Sequence, residues 1–89
     1  MIITKDSPLA ALSMDLKRIS MFIQNKSFTS AERFNQEAQR WLLESRKKSS
    51  DRSIRQMLDK IDLVLKQEND LKKAEDCLMY STLLQKRAT

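Results

Sequence analysis

The chain has 89 residues, 40% of them hydrophobic and 33% charged, with a net charge of +5, which fits one small helical domain. It has no glycine, no histidine and one proline, Pro8. Without histidine there is no Ser-His-Asp or Cys-His centre, without glycine no Gly-rich phosphate loop, and with Cys77 alone no internal disulfide or cysteine zinc site.

The start, Met1-Ile2-Ile3-Thr4-Lys5-Asp6, lacks the apolar run of a signal peptide. No segment approaches the ~18–20 apolar residues of a membrane span. The default expectation is a cytoplasmic protein, with residues 1–7 a short N-terminal arm and 8–87 one helical bundle domain. Ser7-Pro8 is a helix start, a hydroxyl cap followed by proline at the first helical position. Leu9, Leu12, Leu16, Ile19 and Ile23 then recur at spacings of three and four, one stripe of an amphipathic helix reaching about Asn25.

Asn25-Lys26-Ser27-Phe28-Thr29-Ser30 interrupts the stripe. Thr29 and Glu32 have capping-box spacing, and Ser27 is an alternative cap. The second helix carries Ala31, Phe34, Ala38, Trp41 or Leu42, and Leu43 on its apolar side. Arg46, Lys47 and Lys48 fall in its last turn, where cations suit the helix dipole.

Ser49-Ser50-Asp51 starts a third helix, with Ile54, Met57, Leu58, Ile61, Val64 and Leu65 as its stripe. Polar Glu68, Asn69 and Asp70 follow where the stripe should pass. They favour a break over a single helix across 51–87 of roughly 55 Å. Leu71, Ala74, Cys77, Leu78 and Leu83 or Leu84 would line a fourth helix. A shift of 43 residues aligns Phe22 with Leu65, Gln24 with Gln67, Phe28 with Leu71, Ala31-Glu32 with Ala74-Glu75 and Phe34 with Cys77. Shared helical periodicity accounts for most of this; true duplication would give two hairpins. The spacing Phe22…Ala31…Ala38 resembles a tetratricopeptide hairpin, in which alanines let two helices approach closely. The turn glycine and the Trp-Leu-Gly start are missing, and 43 stands in place of the usual ~34, so no membership follows.

The fold expected is therefore all-α, a compact bundle of three or four mostly antiparallel helices. Asp59 and Asp62, and Glu75 and Asp76, lie among lysines and arginines at helical spacing and read as solvated ion pairs, Asp59 with Arg55 and Asp62 with Lys66. Cys77 and Trp41 read as core. The expectation is a protein without enzymatic activity, cofactor, metal or small-molecule substrate. It would work by binding another protein or itself, as an adaptor, a chaperone-like or regulatory subunit, or a self-associating bundle. Phe22, Ile23, Phe28, Met57 and Met79 are the candidate apolar contacts, since methionine and phenylalanine suit adaptable interfaces.

The alternative partner is nucleic acid or another anion. Arg40, Arg46, Lys47, Lys48, Arg52 and Arg55 lie in one window with only Glu44 and Asp51, so four of the five net charges are local. With Ser49 and Ser50 they flank a helix N-terminus, whose free N–H groups suit a phosphate.

Overall fold

The structure, a computed structural model, describes residues 7–88. The expected break near residue 69 is present, and the chain forms four helices: α1 (Pro8–Gln24), α2 (Phe28–Lys48), α3 (Arg52–Leu65) and α4 (Asp70–Ala88). Connections of three or four residues make successive helices antiparallel. Each helix packs beside the one before it, and α4 returns beside α1, so α1 and α3 are diagonal.

Without glycine, the turns are built by other means. α1 ends in a Schellman motif. Ser27 N–H donates to the Phe22 carbonyl at 2.8 Å and Lys26 N–H to the Ile23 carbonyl at 3.0 Å. Lys26 takes the left-handed position with φ 60°. The expected Thr29 capping box does not form. α2 begins two residues earlier, at Phe28, with the alternative Ser27 at the cap position but no side-chain cap bond. Ser7 likewise caps α1 through its carbonyl, which accepts from Ala11 N–H at 3.0 Å, and not through its hydroxyl. Asp51 is a full cap for α3, accepting from Ser53 and Ile54 N–H. Asn69 opens α4, its side chain accepting from Lys72 N–H at 3.0 Å.

The core joins Leu12, Leu16, Ile19 and Ile23 of α1 to Ala31, Ala38 and Leu42 of α2, to Leu58, Ile61, Val64 and Leu65 of α3, and to Ala74, Cys77 and Leu84 of α4. α1 lies closest to its two neighbours, and the residues explain why. α2 and α4 turn their small residues inward: Ala31 and Ala38 on one, Ala74, Cys77 and Ser81 on the other. The α1–α4 seam is closed by a reciprocal serine pair. Ser13 Oγ donates to the Ser81 carbonyl at 2.9 Å, and Ser81 Oγ to the Ser13 carbonyl at 2.7 Å. α3 stands further from both neighbours, because bulkier Leu, Ile and Val fill its contacts.

The 43-residue shift superposes the buried small residues of α2 and α4, Ala31 on Ala74 and Ala38 on Ser81. It also places the core residues Leu12 and Leu16 on exposed Arg55 and Asp59. The first helices of the two hairpins therefore bury different faces, and helical periodicity accounts for the match.

Candidate functional site

α4 departs from its sequence pattern in a way that defines the surface. Of the expected stripe, Ala74, Cys77 and Leu84 are buried, whereas Leu71, Leu78 and Leu83 are not. Lys73 and Ser81 join Ala74, Cys77 and Leu84 on the inward face, and Leu71 is 73% exposed. Where α1 comes close, that face carries the small side chains Ala74, Cys77 and Ser81, with Leu84 and Lys73 towards its two ends. The large apolar residues of α4 are displaced to its two flanks, Leu71 and Leu78 on one, Met79 and Leu83 on the other. The signal was present in the sequence as small residues at 74, 77 and 81, a spacing that competes with the leucine stripe.

On the Met79 flank the wider separation of α3 opens a groove of about 240 Å³. It is lined by Ser53, Gln56, Met57 and Lys60 of α3 and by Met79, Tyr80 and Leu83 of α4. Met79 is 47% and Leu83 37% exposed. Met57 and Tyr80 are half-buried, their inner sides against the core. Arg87 donates to Ser53 Oγ and ties the two helices at one end. Towards the other end, Gln67 Nε2 donates to Asp76 at 3.2 Å, and buried Lys73 Nζ donates to the Leu65 carbonyl at 3.0 Å, closing the C-terminus of α3. These contacts tie the two helices at either end.

Of the five candidate apolar contacts, Met57 and Met79 come together here. Ile23 is in the core and offers nothing to a partner. Phe22 is half-buried and stacks on Phe34 with ring centroids 5.5 Å apart, under the Arg18 guanidinium, which lies 5.4 Å from the Phe34 ring. Phe28 is exposed at the opposite end of the bundle, where α1 turns into α2. Tyr80, Leu83 and Lys60 were missed by sequence reasoning, because the groove depends on the spacing between helices.

The basic segment is spread over the α2–α3 turn, and Arg40, Arg46 and Lys47 of its six cations are engaged. The N–H groups that would hold a phosphate at the start of α3 are occupied by the Asp51 carboxylate, at 2.8 and 3.3 Å. Arg46 bonds Asp59 at 2.6 Å, so Asp59 pairs with α2 and not with Arg55 as expected. Asp62 does pair with Lys66, at 3.1 Å. Lys47 lies 3.7 Å from Glu44, and Arg40 stacks on the Trp41 ring at 4.6 Å. Lys48, Ser50, Arg52 and Arg55 are exposed, and Ser49 is half-buried.

Two buried ionisable groups lie away from this surface. Asp15, on the α1–α2 seam, has a side chain only 3% exposed. Its Oδ1 accepts from Arg18 at 3.2 Å, and its Oδ2 has no hydrogen-bond partner among the described residues. Burial first, then the nearby Glu37 carboxylate, pushes its carboxyl up to about 6, against the opposing pull of Arg18 and Arg40. Burial pushes the Cys77 thiol up to about 12 even though Lys73 is close, which makes it an inert core residue. Among the described residues no cluster of three acids or cysteines has metal-site geometry, and no helix is long and apolar enough to cross a membrane. No family model, curated protein or solved structure matches the chain.

Proposed function

We propose that the chain is a non-catalytic interaction module that docks an apolar segment of another protein in the groove between α3 and α4. The observation that carries this reading is the displacement of large apolar side chains to the outside of α4, where Met79, Tyr80 and Leu83 face Met57 across an open groove. Methionine is unbranched and polarisable and moulds to varied apolar partners. At about 240 Å³ the groove is smaller than the ~300–1,000 Å³ of ordinary small-molecule sites, and too small to enclose a drug-sized ligand. The nucleic-acid alternative has less support, since the Asp51 carboxylate occupies the N–H groups at the start of α3 and Arg46 and Lys47 are already paired with acids.

The test is a selection of displayed helical peptides against the intact chain, with the double variant Met79→Glu/Leu83→Glu as counter-target. Both residues are partly exposed, so the variant should keep its helical circular dichroism. Enriched peptides should lose binding to it. Peptides that bind the variant and the parent equally would place the interaction elsewhere.

A further inference from the structure

We propose, resting on that reading, that the groove's occupant is a short amphipathic helix of a partner protein, with apolar anchors flanked by acidic residues. The shape selects a helix. The lining positions run 53, 56, 57 and 60 on α3 and 79, 80 and 83 on α4. They cover about two helical turns, roughly 10 Å. A third helix laid along two packed helices repeats the bundle's own packing and buries anchors at i, i+3 or i+4, and i+7. The described residues form no strand, so an extended peptide has no edge to pair with.

The size argues against a second copy of the chain as occupant. A stable dimer buries about 800 Å² on each partner. This groove accepts only a few side chains, from seven lining residues.

The charge selects the acidic flank. Lys60 lines the groove and makes no ion pair or hydrogen bond among the described residues. Arg87, at the end of the groove, bonds the neutral hydroxyl of Ser53. Among the described residues no acid lines the groove. The nearest acids in sequence are engaged: Asp59 with Arg46, Asp62 with Lys66, Asp51 with the N–H groups of Ser53 and Ile54, and Asp76 with Gln67 and Lys72. A groove whose apolar side chains, Met57, Met79 and Leu83, are bordered by cations without an acidic partner among the described residues is complementary to apolar anchors bordered by carboxylates, an arrangement that sets partner choice and association rate.

The same display selection tests this when the library fixes apolar anchors at i, i+3, i+4 and i+7 and randomises the flanks. Groove-binding peptides should emerge with net negative flanks. A selected peptide should bind Lys60→Glu about tenfold more weakly than the parent, and less weakly as salt rises. Its charge-reversed counterpart, with lysine flanks, should prefer Lys60→Glu. Groove binders with neutral or basic flanks, indifferent to Lys60→Glu, would overturn the acidic partner and leave the groove reading intact. Peptides indifferent to Met79→Glu/Leu83→Glu would overturn both.

Discussion

Lys26 occupies the left-handed corner of a Schellman turn, with φ 60°, where most helices place glycine. A Cβ in that conformation costs on the order of 1 kcal/mol. Lys26→Gly should therefore stabilise the chain by about 1 kcal/mol, read as a higher urea midpoint with an unchanged slope. A lower midpoint would mean that the lysine side chain contributes more than its backbone strain costs.

Asp15 carries the opposite kind of strain, a carboxylate held where water cannot reach it. Its folded pKa of about 6 exceeds the ordinary 3.8, so the folded chain binds this proton more tightly than the unfolded one. The stability linked to the group is therefore full below about pH 3.8 and is lost as pH rises through about 6. A shift of this size amounts to roughly 2–3 kcal/mol. Asp15→Asn should remove that dependence. Relative to the parent, the variant should gain stability by that amount between about pH 4 and pH 8. A parent-to-variant difference that stays flat over this range would show that Asp15 is solvated in the folded protein.

At the scale of the element, α4 reverses the usual assignment of large and small residues. Ser81 faces α1 and exchanges hydrogen bonds with Ser13, while Leu78 faces outward. By composition alone, Ser81→Leu would enrich the core. Here it should destabilise by about 2–3 kcal/mol, because it overpacks the closest seam and removes a buried bond. Leu78→Ser, at a half-exposed position, should cost only about 1 kcal/mol. Denaturant midpoints of the two variants decide the matter, and the reverse ranking would place the leucines inside.

The helices themselves were legible from caps and periodicity. Asp51 and the 68–70 interruption mark real boundaries, and the α1 stripe from Leu12 to Ile23 is buried as read. The hydroxyl caps of Ser7 and Thr29 were not, since a hydroxyl at the right spacing does not oblige the backbone to use it. The face of α4 was hidden for a different reason. Ala74, Cys77 and Leu84 are buried as read, but whether Leu71 and Leu78 or Lys73 and Ser81 complete the face depends on how near α1 comes, a tertiary quantity. The groove inherits that dependence. Met57 and Met79 were singled out for their softness, but Tyr80, Leu83 and Lys60 join them only through the α3–α4 separation.

On the scale of the whole molecule, packing is uneven. α1 is clasped between α2 and α4 through small residues, and α3 stands off on bulkier ones. A radius of gyration of 12.1 Å matches the ~12 Å expected for a chain of this length, so the uneven packing leaves a surface groove and not a swollen core. Held at both ends by Arg87–Ser53 and by the Gln67–Asp76 and Lys73–Leu65 contacts, the groove is preformed, which lowers the ordering cost of binding.

The five methionines provide a direct readout of whether this groove is the interaction surface. Met57 and Met79 line it, whereas Met14 and Met21 lie exposed on α1. The decisive measurement is the methyl spectrum of the ¹³C-methionine-labelled chain on titration with the selected helical peptide. The Met57 and Met79 signals should shift together and saturate, with those of Met14 and Met21 unmoved. Saturating shifts at Met14 and Met21 with the groove pair unmoved would contradict the account.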